Sequence, residues 1–213
     1  MEQRSIFLSG GTGYLGKSLS ARLLARGHRL RVLARPGSEG KVEPGAMVVP
    51  GDALKAATFT SSVEPGSTFV HLTGVAHPAP WKEGQFRAID LVSLRASAAA
   101  AKDVAHFVYV SVAHPAPTMK AYIRVRMECE EILEATALAR TILRPWYVLG
   151  PGHRWPVILK PIYALLRANA SAQRLGLVTL EEMTNALVWA VENPPEALRI
   201  LDVPGIRASR GLR

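Results

Sequence analysis

The sequence is almost without cysteine. Cys129 stands alone among 213 residues, so no internal disulfide can form, and a reducing cytoplasm is the expected compartment. Long apolar runs are missing too. No stretch approaches eighteen uninterrupted apolar residues, and no membrane span is expected. The N-terminus MEQRSIFLSGG lacks a basic segment ahead of a long apolar core, so no signal peptide is expected. Acidic residues are scarce, 17 against 26 basic, for a net charge of +9. The basic excess is not gathered into a run: Arg22, Arg26, Arg29, Arg31 and Arg35 are scattered, and no basic stripe alternates with aromatics. Nucleic-acid binding is therefore not expected. The six histidines show no ligand spacing, which leaves no metal site.

What is present is alternation. Short apolar runs at 5–9, 30–34, 47–50, 68–74, 106–112 and 139–145 read as strands. Helical patterns fall between them, over 14–26, 53–62, 85–101 and 119–137. Strands apolar on both faces argue for a parallel sheet covered on both sides. The expected fold is a doubly wound α/β sheet of the Rossmann type, one domain over 1–213. After residue 150 the pattern changes. An apolar helix is expected over 155–168, a capping box Thr179-Leu-Glu-Glu182 opens another to about Glu192, and 199–204 is a last strand. Residues 151–213 are read as a small annex on the substrate side.

The segment SGGTGYLGKSL (9–19) follows a strand and opens a helix. Gly10, Gly13 and Gly16 have the G-x-x-G-x-x-G spacing of a dinucleotide loop. The first allows a tight turn, the second the approach of a pyrophosphate, the third close packing of helix on strand. The helix N-terminus then offers N–H donors to phosphate. NAD sites usually place an acidic residue at the end of the second strand. Here that place holds Arg35, with Ser38 nearby, which favours a 2′-phosphate and so NADP(H) over NAD(H). Asp52 either accepts from the adenine amino group or caps the following helix.

Tyr122 and Arg126 stand four apart on one helix face. A tyrosine can serve as proton donor where a cation lowers its pKa. The plainer reading pairs Arg126 with Glu130, four residues on. Cys129, on the same face, reads as a buried structural thiol. The hexapeptide VAHPAP occurs at 75–80 and again at 112–117, after consecutive strands. Both copies should emerge at carboxyl ends of the sheet, where ligands bind. His77 and His114 can there polarise a carbonyl or move a proton, or simply be tolerated in proline-rich turns.

Taken together, GGTGYLG, the "GD" at 51–52, VYVSV, the Tyr122–Arg126 pair and TILRPWYVLGPG (141–152) resemble an atypical short-chain dehydrogenase/reductase. The likeness is to the NAD(P)H-binding, nucleoside-diphosphate-sugar-epimerase-like group, which is similar to the Rossmann accessory subunit of respiratory complex I and to NmrA-like sensors. The resemblance implies a Ser–Tyr–Lys set with Ser111 and Tyr122 in the first two roles and Arg126 at the lysine position. It implies cofactor contacts from Gly10, Thr12, Gly13, Tyr14, Leu15, Gly16, Arg35, Ser38, Asp52, Ala53, Leu72, Thr73, Gly74, Tyr122, Arg126, Pro145, Trp146 and Val148. His77, His114, Trp146 and Tyr147 fall on the substrate side. Hydride transfer between NADP(H) and a small carbonyl or alcohol is the leading function. A non-catalytic NADP(H)-binding redox sensor or assembly subunit and a sugar-nucleotide epimerase are the alternatives. A homodimer is common among such relatives.

Overall fold

The structure is a computed structural model that describes residues 2–150 and 174–209. The expected helix over 155–168, with Gly152 and His153, lies outside the described residues.

Seven strands form one parallel sheet. In chain order these are β1 (Ser5–Ser9), β2 (Arg29–Ala34), β3 (Met47–Pro50), β4 (Thr68–His71), β5 (His106–Val110), β6 (Arg140–Leu143) and, after a separate pair, β9 (Leu198–Leu201). The order across the sheet is β3-β2-β1-β4-β5-β6-β9. The direction of winding reverses between β1 and β4, so a crevice opens beyond their carboxyl ends. The separate pair joins β7 (Tyr147–Leu149) to β8 (Leu177–Thr179) in parallel.

Alternate residues of each strand feed opposite faces. Ile6, Leu8, Val32, Val70, Val108 and Leu143 enter an aliphatic core. Helix α1 (Tyr14–Ala25) covers it with Leu19 and Leu23. Helices α5 (Leu180–Glu192) and α6 (Val203–Ala208) complete that layer. The capping box of α5 forms as expected: the Glu182 N–H donates to Thr179 Oγ1 at 3.1 Å, and the Thr179 N–H to Glu182 Oε2 at 2.8 Å. The other face is aromatic. Phe69 stacks on Phe7 and on Phe107, each at 5.1 Å between centroids. It is covered by α2 (Glu83–Gln85), a π-helical segment Phe86–Leu91, α3 (Val92–Ala100) and α4 (Lys120–Glu134).

The expected helix over 53–62 is absent. Two single 3₁₀ turns stand there, Ala56–Thr58 and Thr60–Ser62. Phe59 between them is fully buried against Phe7, at 5.8 Å. Thr58 Oγ1 donates to the Lys55 carbonyl at 2.7 Å and Thr60 Oγ1 to that of Ala56 at 2.8 Å. These hydroxyls compete with a helical ladder, and the buried ring fixes the break.

Candidate cofactor and active site

The glycine loop lies at the sheet's switch point. Gly10 has φ of +79°, and a Cβ there would meet the Leu72 carbonyl carbon at 2.7 Å and the Thr73 nitrogen at 2.8 Å. A Cβ on Gly16 would stand 2.3 Å from the Gly10 oxygen. Only glycine fits either place, and the backbones of β1, β4 and α1 close on one another as a result. Gly13 is the N-cap of α1 and brings no side chain to its free N–H groups. Thr73 Oγ1 is buried and has no hydrogen-bond partner. A bare helix N-terminus and a backbone cradle suit a pyrophosphate, and the orphan hydroxyl beside them is left for another polar group of the same ligand. Beneath them His71 ends β4, with Nδ1 3.1 Å from Ser9 Oγ and 3.0 Å from Ser97 Oγ. Burial first, and the Arg126 charge second, push this imidazole down to about 3. It is neutral at physiological pH.

Arg35 directly follows β2 and is exposed. The Ser38 N–H donates to its carbonyl at 2.9 Å, which brings the two residues onto one turn. Asp52 caps no helix; its Oδ1 accepts the Leu54 N–H at 3.0 Å. Ala53 follows in the same turn.

Tyr122 and Arg126 do share one face of α4, turned to the sheet. The guanidinium of Arg126 is buried and lies over the Tyr122 ring, 5.0 Å from its centroid. Its partner is not Glu130. Arg126 Nη2 is 2.6 Å from Asp90 Oδ1, while Nη1 donates to the Val110 carbonyl at 2.9 Å and to Tyr109 Oη at 3.3 Å. Asp90 also accepts the Val75 N–H at 3.1 Å. The pair thus ties α4, the π segment, the end of β5 and the loop after β4 together. Gly74 makes room for it: a Cβ there would stand 2.5 Å from Arg126 Nη2. Burial pushes the Tyr122 phenol above its ordinary value; Arg126 pulls it down, and Asp90 works against Arg126. Cys129 is fully buried, and burial pushes its thiol up to about 11.

Glu130 serves another group. Arg144 grips it, with Nε 3.1 Å from Oε1 and Nη2 on Oε2. Ser111 Oγ donates to the same Oε1. His114 Nε2 stands 3.5 Å from that oxygen. The two VAHPAP copies therefore differ: His114 is turned in beside Glu130, whereas His77 is exposed with a left-handed φ of 50°. The Ser111 N–H donates to the Leu143 carbonyl at 2.8 Å and the Ala113 N–H to that of Pro145 at 2.9 Å. This pairing carries Ser111 alongside Pro145. Trp146 follows, half-buried, and Tyr147 and Val148 enter β7.

Asp90, Glu130 and Arg144 are the site residues that motif reading passes over. Asp90 had a signal. Phe86, Asp90 and Leu94 recur every four residues and are all buried, so a carboxylate stands in an apolar stripe. Among the described residues no cluster of three metal-ligating side chains occurs, and no helix is long and apolar enough to cross a membrane. An open cavity of about 440 Å³ lies at the amino ends of β5 and β6, between Lys102, Val104, Thr136 and Leu138, far from the glycine loop.

Residues 10–160 match a family described as NAD(P)H-binding. A ceramide reductase of Caulobacter vibrioides is 26% identical over 212 residues, covering 95% of this chain. The chain spans 65% of that relative's length. Among solved structures, a putative epimerase of Burkholderia cenocepacia is similar with a TM-score of 0.70 at 20% identity, over 96% of this chain and 79% of its own. A short-chain dehydrogenase/reductase superfamily protein of Agrobacterium tumefaciens, solved with NAD, gives 0.68 at 17% identity, over 93% and 77%. A UDP-glucose 4-epimerase gives 0.68 at 15% identity, over 96% and 80%.

Proposed function

Since the chain belongs to the NAD(P)H-binding family and has the fold of the epimerase-like short-chain dehydrogenases/reductases, we propose that it is an NADP(H)-dependent oxidoreductase acting on a small carbonyl or alcohol. The observation that carries the reading is the meeting of two features at one end of the sheet. The glycine cradle closes on the end of β4; Ser111 directly follows the adjacent β5, and Tyr122 packs on the guanidinium that bonds the last carbonyl of that strand. The relative named a ceramide reductase supports the direction of carbonyl reduction.

Gly10, Thr12, Gly13, Tyr14, Leu15 and Gly16 hold the pyrophosphate on the N-terminus of α1. Arg35 and Ser38 take the 2′-phosphate, and Asp52 with Ala53 faces the adenine. Leu72, Thr73, Gly74, Pro145, Trp146 and Val148 line the nicotinamide half. The bound nicotinamide supplies or accepts the hydride. Tyr122 gives the proton to the carbonyl oxygen, Ser111 orients that oxygen, and Arg126 keeps a cation beneath the tyrosine. His77, His114 and Tyr147 border the substrate.

A second reading is a non-catalytic NADP(H)-binding sensor or assembly subunit. It is favoured by the engagement of both polar helpers, Arg126 with Asp90 and Ser111 with Glu130. Calorimetry with NADPH, NADP⁺, NADH and NAD⁺, followed by NADPH oxidation against a carbonyl panel, separates the two. Tight NADPH binding with turnover that Tyr122→Phe abolishes supports the enzyme. Tight binding with no turnover on any carbonyl supports the sensor, and no binding of the four nucleotides sinks both.

A further inference from the structure

Asp90 is the acid that the functional reading leaves unused. It is 1% exposed, and its carboxylate meets the guanidinium beside Tyr122 at 2.6 Å. The charged and titratable groups around the Tyr122–Arg126 pair are few. Asp90 faces it from the π segment, Tyr109 from β5, the neutral His71, which feels the Arg126 charge, from β4, and Cys129 from α4 itself. Among these, Arg126 brings the positive charge and Asp90 the negative one. An opposite charge within about 4–6 Å moves a pKa by roughly 1–3 units, and a compensated charge moves it far less.

We propose that Asp90 is a positioning residue that sets the strength of Tyr122 as a proton donor, by pinning Arg126 and cancelling most of its charge at the phenol. The inference rests on Tyr122 being the donor, but its readout does not. Burial then decides the acidity of the phenol, which lies above the ordinary tyrosine range. Asp90→Asn keeps an acceptor for the Val75 N–H and removes the charge.

The test is a titration of tyrosine Cζ resonances in the free protein, with Tyr122→Phe to assign the signal. In Asp90→Asn the Tyr122 resonance should titrate at least about one pH unit lower than in the wild type. The same resonance unmoved in a folded Asp90→Asn protein overturns the proposal. If that variant does not fold, the neutral pair Asp90→Asn/Arg126→Gln decides. Cancellation requires its Tyr122 to titrate within about half a unit of the wild type, and a rise of a full unit or more shows that Arg126 was acting uncompensated. Carbonyl reduction is measured alongside. A downward shift in Asp90→Asn with no turnover in either protein refutes the oxidoreductase reading, and with it the donor role, and leaves standing only that Asp90 sets the acidity of the Tyr122 phenol.

Discussion

The two ends of the candidate site are built from different materials. The glycine loop is a backbone device. Its shape comes from missing side chains at Gly10 and Gly16, within one stretch of sequence. The reaction end is a side-chain device. Arg126 on α4 meets Asp90 from the π segment, and Glu130 on α4 meets Arg144 beyond β6 and Ser111 beyond β5. A backbone device can be read from spacing, because glycine is needed at set intervals. A side-chain device needs the fold first, because its members are 14 to 36 residues apart in the chain.

The sharpest way to break the reaction end is to strip one partner from the buried pair. Asp90→Ala leaves Arg126 buried without its counter-charge and the Val75 N–H without an acceptor. A loss of about 3–5 kcal/mol is expected in urea unfolding. A loss under about 1 kcal/mol would show that the pair is not a buried ion pair in solution.

Acid probes the floor of the cofactor end. His71 holds at about 3 in the folded chain, against about 6.5 when unfolded. Between those values the unfolded chain binds the extra proton. Stability is therefore full above about pH 6.5 and falls as the pH drops through the window, by about 1.4 kcal/mol per unit. His106, pushed down to about 4 mainly by burial, adds a loss of the same sign over a shorter window. Urea midpoints from pH 7 to 4.5 should fall accordingly, and His71→Asn should remove about one proton of that dependence. An unchanged slope would show that His71 is not held neutral.

The sequence carries the sheet well and the joints poorly. Strand positions follow from short apolar runs between turn residues, so even the short β3 is where the pattern puts it. The region 53–62 failed because helical spacing ignores Phe59, whose ring is drawn to the aromatic face. Arg126 failed in a similar way. The four-residue rule offered Glu130, but each side chain finds its partner on another element, Arg126 in Asp90 of the π segment and Glu130 in Arg144 beyond β6. The repeat VAHPAP shows the limit most plainly, since identical residues place one histidine in solvent and the other beside a carboxylate.

At the glycine loop a single methyl group is the matching test. Gly16→Ala sets a Cβ against the backbone of Gly10 and Gly11, at 2.3 and 2.5 Å, so helix α1 must move. About 1–3 kcal/mol of stability should go, with at least about tenfold weaker nucleotide binding by calorimetry. Gly84→Ala, where an added Cβ meets nothing within 4 Å, is the control and should bind as the wild type does. Equal affinity in the two variants would mean that the loop is not the cradle.

The smallest expected effect asks the narrowest question, which nucleotide the cradle takes. Arg35 is exposed at the end of β2. Its replacement should leave stability within about 0.5 kcal/mol. Arg35→Glu should then act only on the ligand. A carboxylate repels a 2′-phosphate and accepts from a 2′-hydroxyl, so affinity for NADPH should fall and that for NADH rise. A change of about tenfold in their ratio corresponds to about 1.4 kcal/mol, the scale of one exposed charge-assisted contact. A ratio that does not move places the 2′ position elsewhere. In that case Arg35 is a solvated charge, and the preference for NADP(H) loses its basis while the cradle itself stands.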